Sequence, residues 1–182
     1  LIAAPDPTTW IGRRDRTLLL VATQTGLRNS ELTGLRRQDV TLETGPHIRC
    51  TGKGRKARAT PLRPDVAVAR GDWLVHQPGA PPDPVFPSAH GGRLSADAFQ
   101  RLVTRHTVTA RRTCPTLRDK VVTPHTLRHA AAMALLQRGV DVSVFETIKA
   151  EAEGNFSAGV NVFDLSVDGV GYSTSGDFLS ED

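Results

Sequence analysis

Cysteine is scarce in this chain of 182 residues: it has Cys50 and Cys114 alone, in no metal-type spacing. A disulfide framework and a cysteine-based zinc site are therefore excluded, and both thiols are expected to be reduced, as in a cytosolic protein. No apolar run is long enough to span a bilayer. The start, Leu1-Ile2-Ala3-Ala4-Pro5, has no charged n-region and no initiator methionine, so it is not a signal peptide and reads as the inside of a longer protein. Internal repeats and low-complexity tracts are missing too. No Gly-Lys-Ser/Thr opens a helix, which removes the phosphate-loop nucleotide binders. Tyrosine occurs once, at Tyr172, and no histidine follows His129.

Acidic residues are also sparse, but only in one part of the chain. Residues 1–140 hold 22 of the 23 Lys and Arg against 10 of the 19 Asp and Glu, a balance of +12. Residues 141–182 hold Lys149 against nine acids, a balance of −8. The formal net charge of +4 hides this split. The basic part is chiefly arginine, whose planar fork grips phosphate in two places where lysine offers a point charge. Nucleic acid is the first partner such a domain suggests; an Arg-rich solvated surface is the plain alternative.

Residues 13–24 read as a helix with a wide apolar face that breaks at Thr25-Gly26. Asn29 and Ser30 are expected to cap a short helix held by Leu32 and Leu35, with Arg28 in the turn ahead of it. Residues 47–51 and 57–62 read as two strands joined by Gly52-Lys53-Gly54-Arg55-Lys56, a hairpin tip with three cations. Pro64-Asp65 opens a helix to about Gln77, with Val66, Val68, Trp73, Leu74 and Val75 as core candidates. After the Pro-rich loop 78–84 and a short apolar stop at 85–88, Ser95 caps a helix from Ala96 to about Ala110 with Phe99, Leu102, Val103 and Val108 inward. The fold class is thus mainly α with a small antiparallel β-hairpin or sheet, an α+β chain.

Thr123 is a good N-cap and Pro124 a good first residue for a last helix, which runs through Leu136 and stops at Gly139. His125, Arg128 and His129 stand at i, i+3 and i+4 on its first turn, where the helix dipole favours an anion. Two imidazoles and a guanidinium there read as a phosphate site. A metal pair at His125 and His129 is disfavoured, because the zincin pattern wants Glu in place of Thr126 and Arg128 would repel a cation.

Taken in order, Thr25-Gly26-Leu27-Arg28-Asn29-Ser30-Glu31-Leu32, Gly52-Lys53-Gly54-Arg55-Lys56 and His125-Thr126-Leu127-Arg128-His129 resemble the catalytic signature of tyrosine recombinases, the phage-integrase family. Val85-Phe86-Pro87 and Gly92-Arg93-Leu94-Ser95 fit between them, and the resemblance covers residues 1 to about 145. It implies site-specific DNA recombination by strand breakage and rejoining through a 3′-phosphotyrosyl intermediate. Arg28 is then the first phosphate-binding arginine, Arg128 the second, His125 the motif histidine and Lys53 the acid for the leaving 5′ oxygen. Lys56 competes for that role; Lys53, 25 residues after Arg28, is preferred on spacing. Glu31 resembles the supporting acid, His129 is a second orienter or a plain histidine, and Arg55, Lys56 and Arg58 are expected to contact the DNA backbone. The resemblance implies no metal or other cofactor, double-stranded DNA as partner, a homotetramer on paired sites, no membrane association and a cytoplasmic, nucleoid-associated location.

The pattern then breaks. Aligned from Gly139, the family's Gly-His pair falls on Ala150-Glu151 and its nucleophilic tyrosine near Val160. Tyr172 lies about twelve residues late, among glycines. The expectation is a catalytic fold incomplete at its C-terminus, with domain 1–145 lacking the family's N-terminal clamping domain and followed by an off-family acidic tail, 146–182. Stretches 144–156 and 168–172 of that region resemble the C-terminal part of basic-membrane-protein-type nucleoside-binding lipoproteins, though one short segment could not build their two-lobed cleft. A non-catalytic DNA-binding remnant is the alternative function.

Overall fold

A computed structural model describes residues 1–43, 45–51 and 57–137. Five helices and a three-stranded sheet follow one another along it: α1 (Trp10–Thr25), α2 (Asn29–Gly34), β1 (Val40–Thr41), β2 (His47–Thr51), β3 (Ala57–Pro61), α3 (Pro64–His76), α4 (Ala96–Ala110) and α5 (Pro124–Gln137). The sheet is antiparallel in the order β1-β2-β3, and β2 and β3 pair from His47↔Pro61 to Thr51↔Ala57. The two expected strands do form a hairpin, the second ending at Pro61 rather than Leu62. Strand β1 adds to it Val40 and Thr41, too short a run to show period-two alternation in sequence.

Helix α1 is the central post. Leu18, Leu19 and Val21 are fully buried, and the helix packs against α3 on one side and α5 on the other. It starts earlier than residue 13 because Thr9 caps it, its hydroxyl accepting the Gly12 N–H at 3.0 Å. It ends where glycine predicts, at Gly26 in the left-handed conformation (φ 59°). Helix α4 begins at the Ser95 cap as expected, the Ala98 N–H donating to Ser95 Oγ at 3.0 Å. Helix α5 likewise starts at Pro124, with Thr126 N–H donating to Thr123 Oγ1 at 3.1 Å.

Three expected core positions are corrected. Val68 and Val75 of α3 and Val108 of α4 face solvent. The inward face of α3 is Val66, Arg70 and Trp73, spaced i, i+4 and i+7, so a fully buried arginine takes the place assigned to valine. On α4 the face continues from Phe99, Leu102 and Val103 into His106, Thr107 and Ala110.

Polar residues also tie the helices together. Asp15 of α1 is fully buried and accepts from Arg14 Nε (2.9 Å) and Nη2 (2.7 Å), Arg105 Nη2 (2.6 Å) and His106 Nε2 (2.8 Å). Burial alone would raise its pKa; the hydrogen bond from His106, then those and the charge of Arg14, hold the carboxyl below the usual aspartate value instead. Arg14 also donates to Pro87 O at 2.8 Å, so a single buried carboxylate orders α1, α4 and the 85–88 segment.

Candidate active site

The C-terminal end of α1 is where the segments that carry Arg28 and Arg128 meet. Gly26 turns the chain and lies directly against α5: a methyl group placed on it would sit 3.7 Å from Ala131 Cβ and 3.9 Å from Arg128 Cγ. The left-handed turn therefore sets Arg128 beside the segment that leads, two residues later, to Arg28. One turn back, Gln24 Nε2 donates to Pro61 O at 3.1 Å and fixes the end of β3 to the same place. Helix α1 thus gathers α2, α5 and the hairpin at one corner.

Arg28 is the N-cap of α2, which corrects the expected caps Asn29 and Ser30. An arginine side chain cannot accept a hydrogen bond, so the capping falls to the residue at N3. The Arg28 backbone N–H donates to Glu31 Oε2 at 2.7 Å, while Arg28 Nη1 reaches Glu31 Oε1 at 3.3 Å. The Glu31 side chain is only 7% exposed, against 34% for Arg28. A nearly buried carboxylate therefore holds a guanidinium that still faces solvent.

On α5, Leu127 and Ala131 face inward against the core, Arg128 is half-buried, and His125 and His129 are exposed. His125 lies in the first helical turn, on the exposed side of the helix that carries Arg128. Arg58 lies on β3 opposite Cys50 in the ladder. Lys53, Arg55, Lys56 and Tyr172 lie outside the described residues. Their flanking positions, Thr51 and Ala57, pair with each other, so the hairpin enters and leaves its tip in register. Among the described residues no group of His, Cys, Asp and Glu is placed to hold a metal ion, and no helix is long and apolar enough to cross a membrane.

Sequence reasoning noted Arg93 and Asn29 without assigning them a part in the site. Arg93 Nε donates to Thr33 O (3.0 Å) and its Nη2 to Ser30 O (2.9 Å), both on α2. Asn29 Nδ2 donates to Ala96 O at 3.2 Å. The signal, Gly92-Arg93-Leu94-Ser95, was visible in the chain; what it touches was not.

The pattern that describes the phage integrase family matches residues 1–150. This chain belongs to the phage integrase family. Among relatives, a Sinorhizobium fredii protein that carries the name integrase/recombinase y4rC is 49% identical over 144 residues, covering 79% of this chain and 43% of its own. Tyrosine recombinase XerD of Pseudomonas aeruginosa is 36% identical over 156 residues, covering 81% of this chain and 49% of its own. This integrase-family chain thus spans about half the length of such relatives. Its fold is similar to that of the XerH site-specific recombinase bound to difH substrate in a pre-cleavage complex, with a TM-score of 0.66, 28% identity and coverage of 80% of this chain and 41% of that one. The expected α+β architecture is the architecture of these integrase-family neighbours. The match runs five residues past the boundary expected at 145, and the lipoprotein likeness of the remaining tail gains no support from it.

Proposed function

We propose that the corner at the end of α1, where the Arg28 and Arg128 segments meet, takes the scissile phosphate of double-stranded DNA, as in site-specific recombination by strand breakage and rejoining. The observation that carries this is the pairing of two arginine-bearing segments through Gly26, with Arg28 braced by Glu31. In phosphodiester exchange a nucleophilic oxygen bonds to phosphorus as the bond to the 5′ oxygen breaks, and charge accumulates on the two non-bridging oxygens. Guanidinium groups fixed beforehand stabilise that charge without reorganising. Arg28 and Arg128 supply the forks, His125 a further donor from the helix start, and Lys53 the proton for the departing 5′ oxygen. DNA is held by its backbone, so binding falls with salt. In the family's reaction, exchange would need four copies on paired sites.

One feature favours a second reading, a DNA-binding remnant without cleavage. The chain's single tyrosine is Tyr172, displaced from the spacing of the family's nucleophile. Without a nucleophile at that place no phosphotyrosyl link can form. Purified protein incubated with a pool of nicked duplexes of randomised sequence should give no adduct that survives detergent. An adduct abolished by Tyr172→Phe would instead show that the late tyrosine serves.

A further inference from the structure

Helix α2 has six residues, too few to hold itself together in water, where nucleation alone is unfavourable. Its C-terminal carbonyls need donors from elsewhere. The segment 85–96 supplies them. Arg93 Nε donates to Thr33 O at 3.0 Å, Arg93 Nη2 to Ser30 O at 2.9 Å, and the Val85 N–H to Leu35 O at 2.9 Å. The guanidinium packs closely against Gly34, where a methyl group would come within 3.0 Å of Nη2 and 3.2 Å of Cζ. Asn29 Nδ2 ties the other end of α2 to Ala96 O. Arg93 itself is held at its backbone by the bridge to Pro87, the two residues flanking the turn in which the Ser88 N–H donates to Gly92 O at 2.6 Å.

These bonds form a chain that ends at the phosphate pocket. Glu31 sits on α2, and Glu31 aims Arg28 through its two carboxylate oxygens. Whatever fixes α2 fixes the guanidinium. We propose that Arg93 is a positioning residue for Arg28: it clamps the carbonyl end of α2, and through Glu31 holds the Arg28 fork at the angle the pocket requires. The inference rests on the proposed phosphate site for its function but not for its structure, and the two can be tested apart.

Amide hydrogen exchange on the full chain tests the clamp without DNA. In Arg93→Ala, Arg28, Leu32 and Thr33 amides should exchange about tenfold faster or more, as expected from losing charge-assisted hydrogen bonds, while α4 amides keep their rates. Arg93→Lys, with one donor group in place of a fork, should fall between. Duplex binding in a two-by-two set with Arg28→Ala then tests the consequence. Arg93→Ala should weaken binding in the wild-type background and have no further effect where Arg28 is already gone. Unchanged exchange over residues 28–34 would overturn the clamp. Equal losses in both backgrounds would overturn the positioning role and make Arg93 a direct DNA contact. If the wild-type chain bound no duplex, the proposed site would fall, and the exchange rates would still decide the clamp.

Discussion

Arg70 is the residue whose environment is most at odds with its chemistry. Its side chain is fully buried on the inward face of α3, and its guanidinium nitrogens find no hydrogen-bond partner among the described residues. Burial pulls its pKa down to about 9. A buried unpaired charge opposes folding, so Arg70→Met should raise the unfolding free energy measured in urea at pH 7 by on the order of 1–3 kcal/mol. The unfolded state holds the proton more tightly above pH 9, so wild-type stability rises as pH climbs through that value and the gap to the methionine variant narrows. A methionine variant less stable than wild type at pH 7 would mean that the guanidinium has a stabilising partner. At Asp15 the charged form contributes stability, whereas at Arg70 it costs stability. The folded pKa of Asp15 is lowered, so its contribution is present above the ordinary value of 3.8 and is lost as pH falls through the folded value. Asp15→Ala removes the acceptor that Arg14, Arg105 and His106 share and should cost about 3–5 kcal/mol at neutral pH, measured by chemical denaturation; Asp15→Asn should flatten the acid limb of the stability profile.

At the scale of elements, the end of α1 does more than terminate a helix. Gly26 has a positive φ, so Gly26→Ala should cost about 1–2 kcal/mol through backbone strain. A methyl group there would meet α5 at ordinary van der Waals distance, with nothing nearer than 3.7 Å, so packing adds little to this cost. A loss beyond about 3 kcal/mol in thermal unfolding would show that α5 meets the turn more tightly than these distances indicate. Element boundaries were legible wherever a cap or a turn residue carries them: Thr123-Pro124, Ser95, Gly26 and the two strands all announce themselves in local chemistry. What failed was the facing of helices. Val68, Val75 and Val108 are apolar residues on outward faces, and the inward places belong to Arg70 and His106, which composition alone assigns to the surface. The cap of α2 failed for a related reason. Asn29 and Ser30 have the right side chains, but the acceptor that caps the turn comes from Glu31, three residues on.

For the whole molecule, the site was legible as a set of motifs and illegible as an assembly. The three motifs stand far apart in the chain, and it is α1 that brings two of them together, through Gly26 against Arg128 on one side and Arg28 on the other. The contribution of Arg93 depends on a contact across 60 residues with Thr33, which no local pattern announces. The charge split has the same scale: a basic part within the family match, then an acidic part, 141–182, most of which lies beyond residue 150. The central claim is that the Arg28 and Arg128 pair binds a DNA phosphate, and titration of a fluorescent duplex with the purified chain across ~50 to ~200 mM salt tests it most directly. Log affinity should fall linearly with log salt, and Arg28→Ala and Arg128→Ala should each weaken binding and reduce the slope by about one. Slopes and affinities unchanged in both variants would contradict the claim.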